Sequence, residues 1–262
     1  MKLERRSVVC SYLPFVALLN KEIQRFARVY TQTLLTPVII ASLYLFVFGA
    51  TLGERISVVD GFSYAQFVIP GLILMGVINN SFTNTSASIF MSRHLGSIVD
   101  LLVLPLSSLQ IVVAYTLAAV VRGMLVGTAV GIISTFFAPL PWVNPLAALA
   151  MALLTSVLFA LLGLIAGIYS DSFDGLAMYI NFLVLPLIFL GGVFYPISIL
   201  PPFWRQVSQL NPLFYILDGF RHAILGIGEV SMSCSFGFTA ALAALLFAAA
   251  WWVIAHSPRF RA

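Results

Sequence analysis

The chain has 262 residues, of which the charged types Asp, Glu, Lys and Arg make up 8% and the AVILMFWYC set 61%, with a mean hydropathy of +1.06. Soluble domains carry roughly 25% charged residues, and 13 basic with 9 acidic side chains cannot cover a water-facing surface of this size. The composition therefore excludes a soluble globular protein and indicates an all-α polytopic membrane protein. The net charge of +4 is unevenly placed, because Lys2, Arg5, Arg6, Lys21, Arg25 and Arg28 all fall in the first 28 positions. That is a positive-inside signal rather than a nucleic-acid footprint, and no nucleic-acid partner is expected.

The N-terminus has basic residues followed by a short apolar run broken by Pro14, without a small-residue cleavage site, so no cleaved signal is expected. Between 17 and 31, Leu19, Ile23, Phe26 and Tyr30 recur at helical spacing while Lys21, Arg25 and Arg28 take the other face. This pattern predicts a basic amphipathic helix, lying in the membrane interface against anionic lipid heads or standing as a plain cytoplasmic juxtamembrane helix. A crossing helix needs about 20 apolar residues, and windows free of charge but for Arg122 place six spans at about 33–52, 64–90, 107–137, 146–169, 176–194 and 233–255. Pro139, Pro141 and Pro145 make a tight turn after the third span, and Trp251–Trp252 suit a headgroup-level belt at the end of the sixth.

Residues 195–232 are too many for a turn and too apolar for a solvated loop. Pro196, Pro201, Pro202 and Pro212 cut them into apolar pieces at 197–210 and 213–225, each shorter than a bilayer crossing. Re-entrant or interfacial helices are expected there, with Phe194, Tyr195, Phe203, Trp204, Phe214, Tyr215 and Phe220 at the outer interface. Six spans put both termini on one side. With that side cytoplasmic, the six N-terminal bases, Arg93, Arg259 and Arg261 lie inside, against Arg55, Arg205 and Arg221 outside, with Arg122 in the third span. Cys10 and Cys234 then lie near opposite faces, and no disulfide is expected.

Chemistry is sparse. The only lysines are Lys2 and Lys21, so no GxxxxGK[ST] phosphate loop exists and the chain is not its own nucleotide motor. His94, His222 and His256 are far apart, no metal-ligand cluster is spaced for binding, and there is no GxSxG elbow; an enzyme is not expected. No Asp or Glu falls in any predicted span, so the coupling carboxylate of an ion-driven transporter is missing. Energy is therefore expected from a separate ATPase, which would carry the ATP and Mg; no cofactor is expected on this chain.

Two intramembrane features stand out. Arg122 lies mid-span, either as a structural residue paired with backbone carbonyls or snorkelling, or as a pathway residue. Asn79, Asn80, Ser81, Thr83, Asn84, Thr85, Ser86 and Ser88 put eight hydrogen-bonding side chains into ten positions. They suit interhelical bonding, a helix end emerging into water, or the polar wall of a translocation route.

The stretch Leu190-Gly-Gly-Val-Phe-Tyr-Pro-Ile-Ser-Ile-Leu-Pro-Pro-Phe-Trp, then Leu210-Asn-Pro-Leu-Phe-Tyr and Asp218-Gly-Phe-Arg, resembles the C-terminal signature of type-2 ATP-binding-cassette (ABC) transporter permeases. Phe62-Ser-Tyr-Ala-Gln-Phe-Val-Ile-Pro-Gly-Leu and Leu101-Leu-Val-Leu-Pro-Leu-Ser are similar to the family's second-span entry and its segment before the third span. Within that family, the YadH-like and nodulation-type export permeases are the most alike. The resemblance implies one transmembrane domain over 1–262, a homodimer in the bacterial inner membrane, and two copies of a separate ABC ATPase. It implies export of an amphipathic lipid, glycan-linked or drug-like substrate, the alternatives being a non-transport scaffold for an ATPase or an ion-driven exporter. It implies a coupling helix at about 93–104, carrying Arg93, His94, Asp100 and Pro105, with a second contact at Asp171 and Asp174. The pieces at 196–226 correspond to the family's external gate, with Tyr195, Trp204, Tyr215, Asp218 and Arg221 as gate candidates beside the pathway candidates Asn79, Asn80, Asn84 and Arg122. Asp218 and Arg221 are spaced to pair on one helical face.

Overall fold

The computed structural model describes residues 4–47 and 61–261, with side chains from 12 to 47 and from 61 to 260. It is all-helical, with no strand among the described residues. Helix α1 (Glu4–Ala27) runs through Pro14 and stops before Arg28, and α2 (Tyr30–Leu45) starts after a break at Val29. The predicted interfacial helix 17–31 is thus divided between two helices. Its faces also differ from the expected division. Leu18, Glu22 and Phe26 are the buried positions, Tyr30 is exposed, and Arg25 turns inward to α3 instead of joining Lys21 outside. Apolar periodicity could not show this, because the acceptors that draw Arg25 in belong to another helix.

The α2 segment is apolar, but its 16 residues rise only about 24 Å. The end of the predicted first span, 48–52, lies outside the described residues. Among the described residues, five further helices are long and apolar enough to cross a bilayer: α3 (Tyr64–His94), α5 (Ser108–Ser134), α6 (Pro145–Tyr169), the composite Phe173–Leu190 and α11 (Met232–His256). They match the second to sixth predicted spans, with shifted ends. Short α4 (Ile98–Val103) joins α3 to α5.

Helix starts follow their caps. Ser63 with Gln66, and Ser107 with Gln110, form capping boxes at α3 and α5, and Asn144 caps α6 with Pro145 at its first position. The fifth crossing is not one α-helix. It comprises α7 (Phe173–Met178), π turns over Tyr179–Val184 and α8 (Leu185–Leu190). The wide turns give way to α8 at Leu185, with Pro186 in its first turn, where a missing N–H is tolerated. The chain then turns at Gly191–Gly192, with Gly192 at φ +83°, so the crossing ends short of the predicted 194. A 3₁₀ turn (Ile197–Ile199), α9 (Pro202–Leu210) and α10 (Pro212–Leu225) follow, and α12 (Pro258–Arg261) closes the chain.

Helix α3 is the axis of the packing. It is buried on nearly every side by α5, α6 and α10, and its polar residues are spread around the helix instead of forming one water-facing stripe. Close approach depends on Gly163 and Gly167 of α6, where an added Cβ would meet the Phe82 carbonyl and Ile89. Crossings consecutive in the chain alternate in direction, so α3 and α6, which pack most extensively, run parallel, with Ser81 at Ser156 and Thr85 at Ala160. At one end, Arg93 in the last turn of α3 donates to the Ile168 and Ser170 carbonyls at 2.5 and 3.1 Å, and Arg259 lies 3.6 Å from Asp171. At the other, Gln66 donates to the Pro139 carbonyl at 2.7 Å, and the amides of Val143 and Asn144 bond to Ile224 and Ala223.

The two pieces predicted at 197–225 do break at their prolines, but they differ in burial. α9 is largely exposed, whereas α10 is packed against α3, α6 and α11. Phe214 and Phe220 are core residues, not interfacial ones. Cys234 is an exposed free thiol, and the Cys10 side chain lies outside the described ones.

Candidate functional site

The residues proposed for coupling gather at a single end of the bundle. Arg93 is partly buried and serves as a cationic cap for the α6 C-terminus, where unpaired carbonyls and the helix dipole favour positive charge. His94 stacks on Phe90 at 5.6 Å, and both meet the Phe173 ring, so the α3 end is tied to the start of α7. Asp171 pairs with Arg259 at 3.6 Å, an exposed pair of small energetic weight. Asp100, Pro105 and Asp174 are exposed on the same end. Between them α4 holds Ile98 and Leu101 inward and turns Val99 and Val103 outward, at 58% and 79% exposure. An amphipathic pattern would have hidden those valines; their exposure leaves an apolar ridge flanked by acids.

A second constellation lies within the bundle. Glu22 of α1 is 1% exposed and accepts hydrogen bonds from Ser88 Oγ at 2.6 Å and Arg25 Nε at 3.1 Å. Arg25 also donates through Nη2 to the backbone and side-chain oxygens of Asn84, at 2.8 and 2.9 Å. Arg122 of α5 reaches the same Asn84 Oδ1 at 3.4 Å. Three helices are thus joined through one buried amide. Asn79, Asn80, Thr83 and Arg122 line a groove of about 330 Å³ with Thr33, Thr36 and Pro37 of α2.

The polar run of α3 therefore divides by face. Ser81 bonds to Ser156 at 2.7 Å and Thr85 to the Ala160 carbonyl at 2.7 Å, both on α6. Asn84 and Ser88 face α1, and Asn80 returns to the Gly76 carbonyl at 3.1 Å. Asn79 and Thr83 open to the groove. Interhelical bonding and a polar wall are both present, on different sides of one helix.

At the far end, Asp218 and Arg221 do not pair with each other. Asp218 accepts from the amides of Glu229 and Val230 at 2.8 and 3.0 Å, holding the turn after α10. Arg221 donates to the Gly192 carbonyl at 2.8 Å and stacks over the Phe67 ring at 3.9 Å. α10 is thereby fastened on both sides. The Tyr195 hydroxyl donates to the Phe189 carbonyl at 2.9 Å, and burial pushes its pKa up. Trp204 is exposed beside Phe203, and Tyr215 packs on Phe214 and Phe238 at the edge of a 450 Å³ recess shared with Arg205 and Glu229.

Residues 14–225 match the family model described as ABC-2 type transporter. The chain belongs to the ABC-2 type transporter family. It is 41% identical over 242 residues to "Inner membrane transport permease YadH" of Escherichia coli K12, covering 92% of this chain and 94% of that protein. It is 31% identical over 186 residues to "Nodulation protein J" of Rhizobium leguminosarum bv. viciae, covering 70% and 71%. Nodulation protein J of Rhizobium meliloti is 28% identical over 196 residues, covering 74% and 75%. The matched region holds both the Arg93 end of the bundle and the groove, together with several apolar helices, as expected of a transport permease.

Sequence reasoning missed Glu22 and Thr33. Glu22 lies outside every predicted span, where a carboxylate is ordinary by composition alone. A usable signal was present: Leu18, Glu22 and Phe26 share one helical face with Leu19, so the acid interrupts an apolar stripe.

Proposed function

We propose that this chain is the transmembrane subunit of an ABC exporter in the bacterial inner membrane, working as a homodimer with two copies of a separate ATPase. The observation that carries the proposal is the exposed apolar ridge of α4, set among Arg93, Asp100, Asp171 and Asp174, in a chain of the ABC-2 type transporter family. A ridge of that kind on a membrane protein's polar end is suited to docking a protein. ATP binding and Mg belong to the partner.

In this reading six spans keep both termini cytoplasmic, and α1 sits against the inner leaflet. ATP-driven closure of the ATPases pushes α4, and α3 and α5 carry that motion to the interface between two copies. The segment 196–226, re-entrant from the outer side, is the gate through which an amphipathic substrate leaves. Arg221 and Asp218 hold that gate to α3 and to the α11 entry.

The test is purification from native membranes in mild detergent with the neighbouring candidate ATPase co-expressed. A stoichiometric ATPase whose turnover depends on this chain, and falls with Val99→Asp on α4, supports the proposal. Recovery of the chain alone would favour a scaffold or an ion-driven exporter, with Glu22 as the carboxylate to examine.

A further inference from the structure

Arg122 is poorly satisfied for a guanidinium inside a helix bundle. Of its five N–H groups, one reaches an acceptor among the described residues, Asn84 Oδ1 at 3.4 Å, and its Nε is buried without a partner. The nearest carboxylate in this network, Glu22, is already engaged by Arg25 at 3.1 Å. Glu22 and Arg25 offset each other, and Arg122 is left as an uncompensated positive charge. A cation at such depth is costly unless something answers it.

The surroundings show what would answer it. Thr33 is only 5% exposed, lines the same groove, and its Oγ1 has no hydrogen-bond partner among the described residues. Thr36, Thr83 and Asn79 add neutral donors around the groove. One guanidinium fork with several hydroxyl and amide donors suits a group with three or more acceptor oxygens better than a planar carboxylate. The groove also continues. A neighbouring cleft of about 210 Å³ shares Pro37, Asn79 and Asn80 with it, and is otherwise walled by apolar side chains such as Ile40, Leu72, Met75 and Val130. A polar chamber opening into an apolar one is the shape of a head and the start of a tail.

We propose that the groove between α2, α3 and α5 binds the phosphate-bearing head of an amphiphile, with Arg122 as the charge partner and the adjoining apolar cleft taking the first part of the chain. The transport role of such binding rests on the permease reading; the binding itself does not. A lipid phosphate and free phosphate share the head chemistry, and the apolar cleft favours the lipid.

The purified full-length chain in detergent, without any ATPase, would be titrated with oleoyl lysophosphatidic acid, with neutral monooleoylglycerol and with inorganic phosphate, and bound species counted by native mass spectrometry. Lysophosphatidic acid is expected to bind saturably at one per chain, at least tenfold tighter than monooleoylglycerol, and not to be displaced by inorganic phosphate at similar concentration. Arg122→Gln is expected to remove that tenfold preference. Thr36→Leu, at an exposed position on α2, narrows the groove without altering the Arg25–Asn84–Arg122 network, and is expected to weaken binding at least threefold; it decides the matter if Arg122→Gln does not fold. Equal binding of the neutral lipid, or unchanged binding in the folded variants, overturns the site. Displacement by inorganic phosphate at similar concentration overturns the amphiphile assignment. Because no ATPase is present, either result is independent of the co-purification test.

Discussion

Replacing Glu22 by Gln is the sharpest probe of the buried network. The carboxylate accepts two hydrogen bonds on one oxygen, from Ser88 at 2.6 Å and from Arg25 at 3.1 Å. Bonds to a charged acceptor contribute about 1.5–3 kcal/mol each, against about 1 for neutral ones. The Arg25 side chain is 35% exposed, so its share is discounted for solvent screening. Loss of the charge with retention of shape should then cost about 2 kcal/mol in all. At about 2–4 °C per kcal/mol for a chain of this size, that is a drop of about 4–8 °C in thermal aggregation temperature. The assay is a thermal-stability scan of purified wild type and Glu22→Gln in the same detergent at one scan rate, because such unfolding is irreversible. Ser88→Ala and the double variant complete a cycle, in which the two losses should not add. A change below about 1 °C, or strict additivity, would show that the network carries no such energy.

Four further outcomes are expected. Asp100→Lys should lower partner-dependent ATPase turnover while leaving thermal stability unchanged, since the side chain is exposed on α4. Arg93→Glu should lower both, because it places an anion against the α6 carbonyls; equal stability of the two variants would remove Arg93 from its capping role. Gly163→Val should cost about 1–3 kcal/mol or more through overpacking against the Phe82 carbonyl, whereas Gly237→Val, which meets nothing, should be nearly neutral in the same scan. With Cys10 and Cys234 replaced by Ser, Glu229→Cys should react with an impermeant maleimide from outside and Ser97→Cys only from the cytoplasmic side; the reverse labelling would overturn the assigned orientation.

Much of the architecture was legible because a bilayer sets strict length and polarity limits on helices. The crossings α3, α5, α6 and α11 follow from long apolar windows, and the starts of the first three from Ser63, Ser107 and Asn144, since capping chemistry is local. The break between α9 and α10 follows from Pro212. The placement of Phe214 and Phe220 was not legible, because aromatic residues suit both an interface and a core, and a short amphipathic segment does not name the surface it packs on. The fate of α3's polar run was equally hidden, since residues one or two apart point to different neighbours that only packing identifies.

The sequence by itself determined that this is a helical membrane protein, where its main crossings begin, and that its basic residues concentrate in the first 28 positions. These are consequences of composition, periodicity and caps, each contained within one segment. Tertiary structure alone decided that Arg25 turns inward, that Asp218 and Arg221 serve different partners, and that Glu22, Asn84 and Arg122 are linked through Arg25. Those residues are 62 positions apart from Glu22 to Asn84 and 38 from Asn84 to Arg122 (84 − 22 and 122 − 84). The satisfaction of a buried polar group depends on what the fold brings beside it, and periodicity within one helix carries no record of that.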